Sequence, residues 1–217
     1  MAVSKTHPPE TILEAIRVGV RHFGENRVEE AILKIPAIPS LISNVQPPIT
    51  WHMIGHVQSR KADAVADLFD WVHSVDSLKL AQRLSRIAGQ HGKSLTVLLE
   101  FNVSGEAGKY GYTANRDTIA RDSKLLDAIA AIAALPNLHL DGLMTMAPIV
   151  AEAEQARPAF CALRELRDQL AARFPQCSWR HLSMGMTDDF EVAIEEGATI
   201  VRIGRAIFGE RRIANAE

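Results

Sequence analysis

The sequence predicts an α/β fold of the (β/α)8 barrel class, and three observations carry that prediction. Short β-like runs alternate with helical periodicity from one end to the other. About eight such runs occur, the number that closes a barrel. No GxGxxG turn follows the first run, which argues against the rival arrangement, an open doubly wound sheet.

The first candidate strand covers 2–4, and Pro8 and Pro9 then introduce a helix with Ile12, Leu13, Ile16 and Val20 in helical rhythm. Strands follow at 22–24 and 51–54, and the Pro-rich passage 36–48 between them is short enough to be a connecting loop. After the strand at 71–75, Ser77 introduces a helix presenting Leu80, Ala81, Leu84, Ile87 and Ala88. The strand at 95–101 is followed by the apolar stretch 125–135, which Asp127 interrupts and which is too short to span a bilayer. Beyond the strand at 140–146, Ala156, Phe160, Leu163, Leu166, Leu170 and Phe174 recur at steps of three and four, as in an amphipathic helix lying on a sheet. The strand at 179–184 leads to Thr187, read as a cap with Asp188 and Asp189 in the first turn, and Gly197 can close that helix in the left-handed conformation. The last strand covers 200–203.

Composition bounds the function. The 217 residues leave room for a sizeable core and exclude a small disulfide- or metal-stapled module. A single domain over 1–217 is expected. With 47% hydrophobic and 23% charged residues the chain reads as an ordinary soluble protein. Its net charge of −2 offers no basic field for nucleic acid or an anionic membrane. The two cysteines, Cys161 and Cys177, form no CxxC pair, and no signal peptide opens the chain, so a reduced cytoplasmic protein is expected. No feature marks a dimer face, and a monomer is the working assumption.

Barrels of this class carry their chemistry at the C-terminal ends of the strands. Here those ends read Lys5; Glu25 and Asn26; Gly55 and His56; Asp76; Asn102; Met144, Thr145 and Met146; Ser183 to Met186; and Arg202, Gly204 and Arg205. Taken alone, Lys5 is most simply a solvated surface charge. In an apolar barrel mouth, desolvation would instead lower its pKa and free the amine to attack an aldehyde. Arg202 stays ionised wherever it points and needs an acceptor, either an acidic residue on a neighbouring strand or a ligand. The segments "LSMGMTDDF" and "RIGRAIFGER" sit where barrels often hold phosphate. Ser183 offers a hydroxyl, Gly185 and Gly204 allow close backbone approach, and the Arg205 N–H can face the same anion. Either glycine alone reads as turn punctuation. A lysine for an aldehyde, an arginine in the mouth and a phosphate cup suggest pyridoxal 5′-phosphate, although a phosphorylated-sugar aldolase would use the same lysine and cup.

The ordered motifs "AVSKTHP", "FGENRVEEA", "WHMIGHVQSRKA", "VHSVDSLKLAQRL", "NVSGEAGKYGY", "GLMTMAP" and "LSMGMTDDFEVAIEEGATIVRIGRAIFGER" resemble the pyridoxal phosphate homeostasis proteins, the YggS/PROSC family, over nearly the whole chain. The resemblance implies a fold-type III barrel similar to the N-terminal domain of alanine racemase and a non-catalytic role in vitamin B6 and amino-acid homeostasis, with PLP-dependent apo-enzymes as possible recipients. By the same resemblance Lys5 carries the cofactor as an internal aldimine and Asn26 neighbours its ring. Arg202 faces the pyridine nitrogen, and Ser183, Gly204 and Arg205 hold the phosphate. Two departures stand out. Family members commonly carry a helix before the "AVSKT" strand, on which this chain opens, and position 205 is Arg where many have a small hydroxyl residue, which leaves the Arg205 backbone as the phosphate contact.

An amino-acid racemase is the alternative. Racemisation needs bases on both faces of a carbanion, and related racemases bring a tyrosine from an added β-domain. At 217 residues the chain is short even for a barrel, typically about 250, so no such domain is expected. Tyr110 and Tyr112 are the only tyrosines and share one loop. A zinc site at His52 and His56 is disfavoured, because "WHMIGH" reads as strand then turn and lacks the HExxH glutamate. His52, His73 and His181 are expected as packed or hydrogen-bonded residues. Met144, Met146, Met184 and Met186 are more simply core than cofactor lining.

Overall fold

The structure is a computed structural model that describes residues 1–38 and 48–210; most of the Pro-rich passage (39–47) and the terminal 211–217 lie outside the described residues. Eight parallel strands run in sequence order around one sheet: β1 (Ala2–Val3), β2 (His22–Glu25), β3 (Thr50–Met53), β4 (Trp71–Val75), β5 (Leu95–Glu100), β6 (Leu138–Met144), β7 (His181–Met186) and β8 (Ile200–Arg202). The Val3 N–H donates to the Ile203 carbonyl at 2.8 Å and the Ile203 N–H to the Met1 carbonyl at 3.1 Å, so β1 also pairs beside β8 and the sheet closes into a barrel.

Helices cover the outside because their apolar stripes have nowhere else to go. In α1 (Pro9–Arg17), Pro occupies the first turn, where its missing N–H costs nothing, and Ile12, Leu13 and Ile16 are buried. After α2 (Val28–Lys34) and α3 (Ala62–Leu68), α4 (Leu78–Gln90) begins on Ser77, whose hydroxyl accepts from the Leu80 N–H at 3.3 Å. The short α5 (Arg116–Ile119) precedes α6 (Ser123–Ala133), which buries Leu125, Leu126, Ile129 and Ile132. A single 3-10 turn, Ala153–Ala156, leads into α7 (Arg157–Arg173), and the full periodic set from Ala156 to Phe174 is buried as the spacing predicts. The chain ends its described part with α8 (Phe190–Glu195) and α9 (Arg205–Phe208). None of the helices among the described residues is long and apolar enough to cross a membrane.

The largest differences from the sequence reading lie in β6, β7 and the cap of α8. Strand β6 starts at Leu138, two residues early, and bulges opposite Val97 and Leu98 where Gly142 (φ +152) lets the backbone pass His181 closely. Strand β7 starts two residues late because Trp179 turns away to donate its indole N–H to the Phe174 carbonyl at the end of α7. Helix α8 is capped at Asp189, not Thr187; the Asp189 carboxylate turns back to the Met186 N–H and leaves Thr187 in the turn. Gly197 closes that helix with φ +91, as expected.

Candidate functional site

Strands β7, β8, β1 and β2 are consecutive around the barrel; Arg202 lies at the C-terminal end of β8, and Lys5, Asn26, Gly204 and Arg205 follow the C-terminal ends of β1, β2 and β8. Lys5, half-buried, lies two residues beyond β1, and its two neighbours are tied down. The Ser4 hydroxyl donates to Glu25 Oε1 at 2.7 Å, and the Thr6 N–H donates to Glu30. Thr6 adopts φ +67, a left-handed conformation that costs a β-branched residue energy. Below it, Lys34 Nζ binds the Ser4 carbonyl at 2.8 Å, Glu25 Oε1 at 2.8 Å and Glu30 Oε1 at 2.9 Å. Burial pushes the Glu25 carboxyl up, and Lys34 and Ser4 pull it back; its second oxygen, Oε2, is buried without a partner.

Asn26 follows β2 and is exposed. Its backbone lies against Gly55 beyond β3, where a Cβ would stand 2.0 Å from the Asn26 carbonyl oxygen, so only glycine fits.

Arg202 ends β8 inside the barrel. Its Nη1 donates to the Ser183 carbonyl at 2.7 Å and hydroxyl at 2.9 Å, and its Nη2 to the Thr145 carbonyl at 2.8 Å. No carboxylate pairs with it among the described residues, so the salt-bridge alternative weighed for it is not the one adopted. Burial lowers its pKa to about 10, opposed by the more distant Asp189 and Glu100, and it remains a cation at neutral pH.

The interior beneath Arg202 is polar, contrary to the apolar mouth expected for Lys5. Ser183 is the third residue of β7, not part of the loop beyond it, and its hydroxyl is bonded to Arg202 and to His73 Nδ1 at 2.9 Å. His73 Nε2 meets His52 Nδ1 at 3.0 Å, and His52 Nε2 meets His22 Nδ1 at 3.0 Å. Burial drives His52 to about 3 and His73 well below its ordinary range. The expectation that the Ser183 hydroxyl joins a phosphate cup at the mouth is therefore corrected: it is used up inside the barrel. Gly185 (φ +89) is likewise committed to packing, since a Cβ there would meet Ala193 Cβ of α8 at 2.6 Å.

The loops after β7 and β8 still converge. Arg205 Nη2 binds both carboxylate oxygens of Asp188 at 2.5 Å, drawing the turn at Thr187 onto the start of α9. The exposed Arg205 side chain is thereby occupied, leaving its N–H as the group that can face the mouth. The first N–H groups of a helix have no acceptor one turn back. Gly204 is unobstructed: a Cβ would come no closer than 3.6 Å, to the Val3 carbonyl.

Acidic and aromatic residues form the far wall. Burial and nearby Asp76 raise the Glu100 carboxyl to about 7. Asp76 pairs with His56 at 3.1 Å, and Tyr110 stacks on His56 with ring centroids 3.7 Å apart. The Tyr112 hydroxyl is buried without a partner, and burial lifts its pKa to about 12. His52 and His56 thus have separate partners, one in the barrel interior and one at the rim.

Of the residues named from the sequence, Arg202 ends β8, Lys5 and Asn26 follow β1 and β2, and Gly204 and Arg205 follow β8, all at the same end of the barrel. Thr187, read from the sequence as the cap of α8, is instead a half-buried hydroxyl just past β7. Sequence reading missed the clamp of Glu25, Glu30 and Lys34 beneath Lys5. The spacing in "GENRVEEAILK" puts Glu30 and Lys34 one helical turn apart and was the available signal.

Comparison with known proteins bears on the family and the fold. The family model for the alanine racemase N-terminal domain matches residues 1–212. The pyridoxal phosphate homeostasis protein of Vibrio cholerae serotype O1 is 45% identical over 211 residues, 97% of this chain and 84% of that protein. The protein of the same name from Pseudomonas aeruginosa is 46% identical over 212 residues, with the same coverages of 97% and 84%. PipY of Synechococcus elongatus PCC7942 superposes with a TM-score of 0.85 without PLP and 0.81 with PLP bound, at 38% identity over 96% of this chain and 91% of PipY. A closed eight-stranded barrel, a matching family model over nearly its whole length and relatives this similar make the chain a member of the alanine racemase N-terminal domain family and, within it, of the pyridoxal phosphate homeostasis proteins.

Proposed function

We propose that this chain binds pyridoxal 5′-phosphate above the β8–β1 seam with Lys5 Nζ as its covalent anchor, and that it serves vitamin B6 and amino-acid homeostasis without efficient turnover. The observation that carries the reading is Arg202, a buried cation bonded among the described residues to neutral oxygens, on the strand that pairs with β1, which leads to Lys5. Such a cation fits a ring nitrogen lone pair better than it fits a carboxylate already supplied by the protein. The names of relatives at 45% and 46% identity, and the PLP-bound form of PipY, support the same ligand.

Bound pyridoxal phosphate supplies an aldehyde that condenses with an amine, releasing one water, and a ring that withdraws electrons. The residues of the chain do the rest. Lys5 offers the amine on a short turn whose neighbours, Ser4 and Thr6, are held by Glu25, Lys34 and Glu30. Arg202 repels a proton from the ring nitrogen, which weakens the ring as an electron sink. The N–H groups at Gly204 and Arg205, with the Thr187 hydroxyl, hold the phosphate, and Asn26 flanks the ring. Ser183 acts one step back, through Arg202, and Gly185 by letting α8 pack. A tyrosine raised to about 12 is a poor second base, and Tyr110 is stacked at the rim, which supports a carrier over a racemase. A cytoplasmic, monomeric carrier is part of the proposal; Cys161 and Cys177 are unpaired thiols.

The test is optical. The purified protein is expected to be yellow when loaded, and borohydride is expected to fix the cofactor to Lys5; Lys5→Ala should lose both. Failure to take up pyridoxal phosphate would overturn the ligand, and rapid interconversion of alanine enantiomers that disappears in Lys5→Ala would overturn the non-catalytic role.

A further inference from the structure

The hydrogen bonds inside the barrel have a direction. Arg202 Nη1 can only donate, so it occupies one lone pair of the Ser183 oxygen. The single Ser183 hydroxyl proton then needs an acceptor, and the one bonded to it among the described residues is His73 Nδ1, at 2.9 Å and across the barrel from β7 to β4. His73 must therefore carry its proton on Nε2, where it donates to His52 Nδ1; His52 in turn donates from Nε2 to His22 Nδ1. The opposite order would give Ser183 two donors and leave its own proton without an acceptor, a costly arrangement in a fully buried site. His22 lies at the N-terminal end of β2 and lines a cavity of about 330 Å³ with Trp71, His181 and Thr199, so the column runs from the floor of the barrel to its mouth.

We propose that His22, His52 and His73 form a one-way hydrogen-bond column that, through Ser183, positions the guanidinium of Arg202. His73 is the positioning residue nearest Arg202: by taking the Ser183 proton it turns the serine lone pairs toward the arginine. Arg202 is then held by three neutral acceptors while keeping its full charge for the mouth. Charged and titratable neighbours do not upset the order. The Met1 amino group and Asp70 face His22, His181 faces His52 and His73, and Arg202 faces His73; burial and the nearby positive charges keep the two inner rings neutral. The effect on the ring nitrogen rests on the cofactor reading above; the order of the column does not.

Side-chain nitrogen NMR of the cofactor-free protein, with histidines labelled and assigned, tests the column directly. His52 and His73 are expected as neutral Nε2–H tautomers from pH 6 to pH 8 (a window around the ordinary histidine pKa of about 6.5); an Nδ1–H tautomer or an imidazolium at His73 would overturn the proposal. In the loaded protein, His73→Leu and Ser183→Ala are each expected to move the pH midpoint of the cofactor absorbance upward by about one unit, a tenfold change in proton affinity. The double variant should move it no further, because both act through one chain of bonds. Unmoved midpoints, or additive ones, would sink the positioning role. If His73→Leu does not fold, Ser183→Ala and the tautomers of the unaltered protein still decide. Wild-type protein that shows the tautomers but binds no pyridoxal phosphate would support the column and overturn the cofactor reading.

Discussion

Lys34 Nζ lies 2.8 Å from Glu25 Oε1, with both side chains withdrawn from solvent, and the same ammonium holds the carbonyl of Ser4 immediately before Lys5. Breaking a buried ion pair from one side leaves the other charge stranded, at a cost of about 3–5 kcal/mol. Lys34→Met should therefore lower the urea unfolding free energy by about that amount. It should also slow borohydride-trappable attachment at Lys5, because the turn loses its anchor. A loss of stability below about 1 kcal/mol would show that the pair is not holding the turn.

Glu100 gives the cofactor-free protein an unusual pH response. Its carboxyl rises from 4.5 to about 7 on folding, so between those values the folded form holds a proton that the unfolded chain releases. Its contribution is full at low pH and lost as pH rises through about 7, a penalty of about 3 kcal/mol in the ionised form. Glu100→Gln should be more stable than the parent at pH 8 by roughly that order. His52 works in the other sense: lowered from 6.5 to about 3, it withdraws stability as pH falls through that range. Removing Glu100 should add about one proton to the uptake on unfolding between pH 4.5 and 6.5, seen as a steeper acid limb in denaturant titrations.

Two glycines at the mouth should respond oppositely to a methyl group. At Gly55 a Cβ meets the Asn26 carbonyl oxygen at 2.0 Å, so Gly55→Ala must displace the loop after β2 and is expected to cost about 1–3 kcal/mol. At Gly204 the nearest atom is 3.6 Å away, so Gly204→Ala should leave cofactor-free stability within about 0.5 kcal/mol. The same methyl would crowd a phosphate at that turn. A tenfold or greater loss of pyridoxal phosphate affinity, about 1.4 kcal/mol, is expected from spectral titration.

Arg205→Ala removes an exposed ion pair with Asp188, worth at most about 1 kcal/mol. The backbone N–H survives the change, so pyridoxal phosphate affinity should fall by less than about threefold, or 0.7 kcal/mol. A loss of two orders of magnitude in a titration at fixed salt would mean that the guanidinium itself holds the anion.

Much of the barrel was legible because each strand and helix announces its period locally. Phe160, Leu163, Leu166 and Leu170 needed nothing but their spacing to be placed on the inner face of α7. The ends were harder to read. Trp179 looked like strand, yet its indole finds a carbonyl on α7, and the resulting two-residue shift moves Ser183 from rim to interior. Lys5 and Arg202 could be matched because the barrel hypothesis itself brings first and last strands together. The bond from His73 to Ser183 could not, since β4 and β7 are not neighbours and no local spacing encodes a contact across the lumen.

The pairing of β1 with β8 also sets an order of events during synthesis. Val3 emerges early, but its hydrogen-bond partner Ile203 is among the last described residues to be made. Until that strand leaves the ribosome, β1 lacks its second neighbour and the loops after β7 and β8 have not been drawn together by Arg205 and Asp188. A nascent chain therefore has its early helices and strands available to fold while the barrel is still open, and the barrel can close only once Ile203 has been made.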